Sequence, residues 1–237
     1  MGDIRIEAAD GGTFEAYLAL PPDATPAPGL VLLPPIFGIE PLIRRLADGY
    51  AARGFVVVAP NQFWRDSVPQ TMERTDAGRA IALARGKRVD VESVVADLGA
   101  TVAALRAMAA CSGKIAVLGF CFGGRYAYIA AARLPVEAAA AFHGAQIGLS
   151  LSPAPRVPVS LHFGEDDPVA PMTEVDAIKA VLRQAQDDNG QAQADVYVYP
   201  GTTHNFAIPG VPGYDAAVAK LSEDRVFTLF EGLRDER

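Results

Sequence analysis

Short apolar runs and longer segments with helical spacing alternate along the whole chain. The apolar runs are Leu30–Leu33, Phe55–Ala59, Lys114–Leu118, Ala138–Phe142, Val159–Phe163 and Val196–Tyr199. Strands that are apolar throughout are typical of a parallel sheet that is buried on both faces. Their alternation with helices therefore predicts an α/β fold, with a mostly parallel central sheet and helices on both faces.

The segments between these runs place apolar residues three or four positions apart, which predicts helices. Their predicted bounds are Pro41–Arg53, Asp90–Ala110, Arg125–Leu134, Thr173–Gln186 and Asp215–Leu233. At the start of the chain, Ile4–Ala8 and Phe14–Leu20 flank a Gly11-Gly12 turn and predict an antiparallel hairpin. Residues 61–88 have the weakest pattern, and we expect them to form a cap over a pocket.

Composition narrows the class of protein. Half of the 237 residues are hydrophobic, which is enough for one sizeable core, so residues 1–237 are predicted to form a single domain. A net charge of −7 argues against nucleic-acid binding, which needs a basic patch. No apolar stretch is long enough to cross a membrane, and no secretory leader is visible at the start of the sequence. The two cysteines argue against a disulfide framework, and a free thiol fits a cytoplasmic location.

The most informative motif is Gly119-Phe-Cys121-Phe-Gly123, which lies between an apolar run and a helical segment. It has the form of a nucleophile elbow, a tight turn between strand and helix, with Cys where Ser is common. The flanking glycines allow strand and helix to approach closely. The turn also places the thiol at a helix N-terminus, whose partial positive charge favours a thiolate. The alternative is that Cys121 is a buried core residue in a glycine-rich turn.

A nucleophile of this kind needs a histidine base and a carboxylate that orients it. His204 follows the strand that ends at Tyr199, and the cluster from Glu165 to Asp167 follows an earlier strand. Nucleophile, acid and histidine thus occur in the chain order of α/β-hydrolases. Asp167 is preferred because Gly-x-x-Asp before a helix is the arrangement such enzymes use. The alternative for this cluster is a solvated turn that caps the next helix.

The remaining histidines and the second cysteine are assigned other roles. His162 lies within a strand and is interpreted as a core histidine. His143 follows a strand in Ala-Phe-His-Gly and could equally line the pocket or be structural. Cys111 is predicted to lie at a helix end with a structural role.

Together these motifs resemble the dienelactone hydrolase family of α/β-hydrolases, also called carboxymethylenebutenolidases, over nearly the whole chain. The resemblance is carried by the cysteine elbow, by the segment from Gly164 to Asp167, by Thr203-His204-Asn205-Phe206 and by Ile36-Phe37-Gly38. It implies an α/β-hydrolase fold and hydrolysis of an ester or lactone through a thioester on the cysteine. In that arrangement the backbone N–H groups of Ile36 and Phe122 form the oxyanion hole.

The sequence departs from the family at two charged positions. Well-known members have a Glu before Ile-Phe-Gly, which helps to ionise the cysteine, and this chain has Pro35 there. They also have an Arg shortly after the histidine motif, which binds the substrate carboxylate, and this chain has Ile208 there. A second family arginine aligns loosely with Arg79, and Arg125 is expected to point into solvent. We therefore expect neutral substrates to be preferred. The predicted substrate-binding residues are Phe37, Trp64, Arg79, His143, Phe206 and Ile208.

No metal or cofactor is implied, because the three histidines lack a metal-ligand spacing and the glycines lack a dinucleotide-binding order. The expected partner is a small-molecule ester or lactone, with no nucleic acid and no membrane, and the chain is expected to be a monomer or weak homodimer. Two alternatives stay open. One is another acyl or carbon–carbon bond hydrolase on the same fold, and the other is a non-catalytic binding protein with this fold.

Overall fold

A computed structural model describes residues 1–23, 25–189 and 193–234. The chain divides into two compact units, Met1–Ala116 and Val117–Arg237. Strand β5, Cys111–Phe120, runs through the division and so contributes to both. The prediction of a single domain stays a prediction.

The first unit begins with the hairpin that the sequence predicts. Its strands are β1 (Gly2–Glu7), β2 (Thr13–Ala19), β3 (Ala27–Leu33) and β4 (Val56–Pro60), and its helices are α1 (Pro41–Ala52), α2 (Asp76–Arg88) and α3 (Val91–Arg106). The strand order is β1-β2-β4-β3-β5. Strand β2 pairs antiparallel with both β1 and β4, whereas β3 and β4 are parallel, with Leu30 opposite Val57.

The second unit continues from the end of β5 with parallel strands. Its elements are α4 (Phe122–Arg133), β6 (Ala138–Phe142), a 3-10 turn at Ile147–Ser150, β7 (Val159–Gly164), α5 (Met172–Asn189), β8 (Ala194–Tyr199) and α6 (Ala216–Glu231). The order is β5-β6-β7-β8, with Ala140 opposite Ser160 and Leu161 opposite Val196. Because the strands are parallel, their carboxyl ends lie at one edge, which is where sites form in open α/β sheets.

A hydrophobic cluster holds α4 and α5 against β6 and β7 in the second unit. It contains Tyr128, Ala141, Ile147, Leu161, Phe163, Ala170, Val175, Ile178 and Leu182, all buried. Burying a large apolar side chain contributes about 1.5–3 kcal/mol to the stability of the fold. The cluster therefore holds β6 and β7 in place, and with them the loops that follow these two strands. The predicted mixed sheet with mostly parallel strands and surrounding helices is confirmed.

Two local features of the first unit differ from the sequence analysis. Helix α2 lies within residues 61–88, for which the sequence assigned no element; only Ala82 and Arg85 of it are buried, so its sequence has almost no apolar stripe. That this segment caps a pocket stays a prediction. Helix α3 ends at Arg106 instead of Ala110, because the chain then forms turns, in which the Met108 N–H donates to Leu105 and the Cys111 N–H donates to Met108. Cys111 consequently begins β5 and does not lie at a helix end.

Candidate active site

Cys121 occupies a strained turn between β5 and α4. Its φ of 51° and ψ of −114° are unusual for a residue with a side chain. A Cβ added at Gly119 would lie 2.1 Å from the Gly123 carbonyl oxygen, so no larger residue fits there. The predicted elbow is therefore present, and the need for glycine at its first position has a steric cause.

Backbone hydrogen bonds hold this turn against the end of β6. The Cys121 N–H donates to the Phe142 carbonyl at 3.0 Å, and the Cys121 carbonyl accepts from Gly124 at 2.9 Å and from Ala145 at 3.0 Å. A Cβ at Gly124 would come within 2.6 Å of the Gly144 Cα, which explains the second glycine after the cysteine. The Cys121 side chain is buried and is a free thiol.

The turn after β7 is joined closely to the loop after β8. The Asp166 N–H donates to the Thr202 carbonyl at 2.9 Å, and the Glu165 N–H donates to the Tyr199 carbonyl at 3.0 Å. Gly164 makes this approach feasible, because a Cβ there would lie 2.4 Å from the Thr202 carbonyl oxygen. The result is that the acidic turn faces the loop that carries His204.

Asp167 is the carboxylate that meets His204. Its Oδ1 accepts the Val169 N–H at 2.8 Å and the Ala170 N–H at 3.2 Å, while Oδ2 lies 2.7 Å from Nδ1 of His204. Asp167 is only 3% exposed, whereas Asp166 is exposed to solvent. Asp167 is therefore not part of a solvated turn, and its contact favours it over Asp166 as the orienting acid.

His204 is nearly buried, and its proton is held strongly. Burial by itself lowers the pKa of this imidazole, but the hydrogen bond to Asp167 and the interaction with Cys121 outweigh burial and raise the pKa to about 9. The Asp167 contact occupies Nδ1 and leaves Nε2 for proton transfer. Near neutral pH, His204 is thus a proton donor held beside a thiol.

His143 joins this pair, although the sequence left its role open. Its ring centroid lies 4.5 Å from that of His204 and 5.9 Å from that of Phe206. His143 is fully buried, with a φ of 41°, and its backbone N–H donates to the His162 carbonyl at 2.7 Å. One ligand atom each of Cys121, His143 and His204 lies within 4.8 Å of the other two. These residues come from three separate loops, so the spacing test for metal ligands along the sequence could not find the group.

His162 is the buried core histidine that the sequence indicated. Nε2 lies 2.8 Å from the Ser160 hydroxyl, and Nδ1 lies 2.8 Å from the Tyr199 hydroxyl. Burial, aided by repulsion from Arg225, lowers its pKa to about 3. His162 is therefore neutral at physiological pH.

In the first unit, the loop after β3 carries Ile36 and Phe37, both half-buried. The Ile36 carbonyl accepts a hydrogen bond from the Arg85 guanidinium. Arg85 also donates to the Pro69 carbonyl at 2.7 Å and lies 3.7 Å over the Phe63 ring. This fully buried arginine thus ties the Ile36 loop to the segment before α2. Sequence reasoning missed it, because nothing along the chain distinguishes Arg85 from its exposed neighbour Arg79.

The other predicted substrate-binding residues lie in varied settings. Trp64 donates its indole N–H to Asp97 at 2.7 Å and stacks on Phe14, and Arg79 is exposed on α2. Phe206 and Ile208 are both fully buried in the loop after His204.

The expectation that Arg125 points into solvent was wrong. Its Nε donates to the Ser150 hydroxyl at 2.8 Å, which keeps the side chain half-buried against the 3-10 turn.

Comparison with known proteins decides the family. The sequence model of the dienelactone hydrolase family matches residues 14–233. The chain belongs to the dienelactone hydrolase family. Carboxymethylenebutenolidase 1 of Cupriavidus pinatubonensis is 30% identical, with 98% of this chain and 97% of that protein covered. The carboxymethylenebutenolidase of Pseudomonas putida is 27% identical, with 99% and 98% covered.

The fold comparison agrees with the family assignment. The crystal structure of a proposed dienelactone hydrolase from Klebsiella pneumoniae superposes with a TM-score of 0.83 at 26% identity, and covers 97% of both chains. As a member of the dienelactone hydrolase family, the chain is a hydrolase, and the non-catalytic alternative is not favoured. No helix in the described ranges is both long and apolar enough to cross a membrane.

Proposed function

We propose that the chain hydrolyses ester or lactone bonds, with Cys121 as nucleophile, His204 as proton donor and acceptor, and Asp167 as the group that orients His204. The observation that carries the proposal is the 2.7 Å contact between Asp167 Oδ2 and His204 Nδ1, in a histidine whose other side faces Cys121 and His143. An oriented base beside a nucleophile is the arrangement of nucleophilic catalysis.

The chemistry proceeds in two steps. The Cys121 thiolate attacks the carbonyl carbon, the C–O bond to the alcohol breaks, and protonated His204 donates its proton to the departing oxygen. Water then attacks the resulting thioester while His204 accepts a proton from it, and the C–S bond breaks to release the acid. Asp167 keeps Nδ1 protonated, so that Nε2 carries both transfers.

The negative charge on the carbonyl oxygen needs donors during both steps. In the second unit, we assign this role to the backbone N–H of Phe122, the first residue of α4. The backbone N–H of Ile36, in the loop after β3, stays the second donor that the family resemblance implies. A single such donor is worth on the order of 3 kcal/mol of transition-state stabilisation. Arg85, which binds the Ile36 carbonyl, would act as a positioning residue for the second donor.

Substrates without a carboxylate should be preferred. The relatives are named carboxymethylenebutenolidases, but this chain has uncharged Pro35 and fully buried Ile208 where the family has charged residues. An unpaired buried carboxylate costs several kcal/mol, so an anionic dienelactone would bind poorly without the arginine that Ile208 replaces. In the second unit, His143 and Phe206 supply ring surface suited to a neutral acyl group.

The free thiols of Cys111 and Cys121 support a cytoplasmic location. We expect the enzyme to form one domain and to act on a small molecule as a monomer or weak homodimer. The family assignment does not favour the alternative of another acyl or carbon–carbon bond hydrolase on this fold.

The test compares the activities of two cysteine variants, measured on a set of neutral p-nitrophenyl esters and small lactones. Cys121→Ala should abolish turnover, whereas Cys111→Ala, which removes the other thiol, should leave kcat/KM unchanged. Circular dichroism checks that both variants are folded. Retention of most esterase activity in Cys121→Ala would overturn the proposal. A clear preference for an anionic dienelactone over neutral lactones in the wild type would refute the substrate assignment alone.

A further inference from the structure

Cys121, His143 and His204 bring one sulfur and two imidazoles to one place in the second unit. We propose that these three side chains form a Zn²⁺-binding site, and that zinc is a reversible inhibitor of the enzyme. Nothing in the family assignment requires a metal, so such a site would control the nucleophile and would not replace it.

The donor set suits zinc. Thiolate sulfur and imidazole nitrogen are the ligands that Zn²⁺ takes most often, and three protein ligands leave a fourth position for water. With ordinary zinc bond lengths, ligand atoms in a tetrahedral site lie about 3.3–3.6 Å apart. The three donor atoms already lie within 4.8 Å of one another. Side-chain rotations that move these atoms by about 1 Å would bring them to tetrahedral distances.

The surroundings also resemble those of metal-bound histidines. A metal-ligating histidine commonly donates its other ring N–H to a carboxylate, which fixes the ring and raises its basicity. Asp167 accepts Nδ1–H of His204 in this way at 2.7 Å. This leaves Nε2, a buried atom that makes no regular hydrogen bond within the described residues, as the nitrogen that would bind a metal. Because His204 is protonated near neutral pH, zinc must displace the Nε2 proton, and its binding should release that proton to solvent.

The second imidazole is held in place by packing. The His143 ring lies against Phe120, with centroids 6.0 Å apart, and against Phe206, at 5.9 Å. The backbone N–H of His143 is tied to the carbonyl of His162 in β7. Little conformational freedom is therefore left for His143 to lose when a metal binds.

Inhibition follows from the ligands themselves and rests on the proposed function. A sulfur that is bound to zinc is a much weaker nucleophile toward a carbonyl carbon, and an imidazole that is bound through Nε2 cannot transfer a proton. Zinc binding itself does not depend on what the enzyme hydrolyses.

The test is calorimetric titration of ZnCl₂ into the full chain and three variants. Wild type and Cys111→Ala should bind one zinc ion with the same affinity. Cys121→Ala and His143→Phe, which keeps an aromatic ring in an aromatic setting, should each weaken binding at least tenfold, roughly the loss expected even for an outer-shell change. The site is refuted if either variant binds zinc as the wild type does, or if Cys111→Ala is the variant that loses binding.

Two further measurements keep the inference decidable if His143→Phe does not fold. Asp167→Asn should weaken zinc binding about 10- to 100-fold through the lost support of His204. Co²⁺ in place of Zn²⁺ should produce a thiolate-to-cobalt absorption band in the wild type that is absent in Cys121→Ala. Unchanged affinity in Asp167→Asn, or no such band in the wild type, would count against the site.

Activity assays separate this inference from the proposed function. Zinc should inhibit ester hydrolysis at the concentration at which it binds, and a chelator should restore the activity. If the wild type hydrolyses esters but zinc neither binds nor inhibits, only the zinc site is overturned. If it binds zinc through Cys121 and His143 but hydrolyses no ester, the site stands and the proposed function is refuted.

Discussion

Two buried histidines in the second unit, His204 after β8 and His162 within β7, hold protons with opposite strength. The pKa of His204 is raised to about 9, whereas that of His162 is lowered to about 3, from an ordinary value near 6.5. Burial lowers the pKa of both imidazoles. The difference comes from their partners.

A carboxylate accepts from His204, and neutral hydroxyls surround His162. Asp167 compensates the charge of an imidazolium, but the hydroxyls of Ser160 and Tyr199 do not. Arg225 donates to the Tyr199 hydroxyl at 3.1 Å and adds a positive charge near His162. Burial therefore does not by itself set the pKa of a histidine, whereas the charge of the group beside the ring does.

The largest expected effect comes from replacing the carboxylate that distinguishes the two sites. Asp167→Asn removes the charge and can leave His204 in the wrong tautomer, so kcat should fall roughly 10³- to 10⁴-fold. Steady-state kinetics with a neutral p-nitrophenyl ester measures this. A fall of less than tenfold in a folded variant would show that Asp167 does not orient His204.

The buried neutral histidine, His162, should make the free energy of unfolding depend on pH in acid. A lowered folded-state pKa means that this contribution is complete above pH 6.5 and is lost as the pH falls toward 3. Between about pH 7 and pH 4.5 the loss from His162 should be about 2–3 kcal/mol. Denaturant unfolding measures it, and His162→Gln should show a smaller decrease over that range. Equal pH slopes for the variant and the wild type would contradict the buried neutral state.

His204 should determine stability in the alkaline direction. Its folded-state pKa is raised, so its contribution is complete below pH 6.5 and is lost as the pH rises through about 9. From about pH 7 to pH 9 the loss should be on the order of 2 kcal/mol. His204→Gln should remove this decrease when unfolding is followed over the same range. A decrease that persists in the variant would assign it to another group.

The smallest effect is expected for the neighbouring carboxylate, Asp166. Because Asp166 is exposed and Asp167 holds His204, Asp166→Asn should change the free energy of unfolding by less than about 0.5 kcal/mol and leave kcat/KM nearly unchanged. The same kinetic assay as for Asp167→Asn measures it. If Asp166→Asn lost the activity and Asp167→Asn kept it, the acid assignment would be reversed.

Sequence reasoning succeeded where short-range rules apply. The strands could be predicted from their apolar runs. The elbow could be predicted from the glycines around Cys121, because a strained turn and a close approach of strand and helix exclude larger side chains. Sequence reasoning missed α2, which has almost no apolar stripe, and it extended α3 through residues 107–110, which are good helix formers but form turns in the structure.

The chain order of Cys121, Asp167 and His204, the parallel strands and the core position of His162 could all be predicted from the sequence, since each depends on local pattern or on spacing along the chain. The tertiary structure alone decided that Asp167 and not Asp166 meets His204, that His143 joins them, and that Arg85 binds the Ile36 carbonyl. These contacts join residues far apart in the chain. They depend on which strands are neighbours and on how closely their loops approach, and no pattern within a short window carries that information.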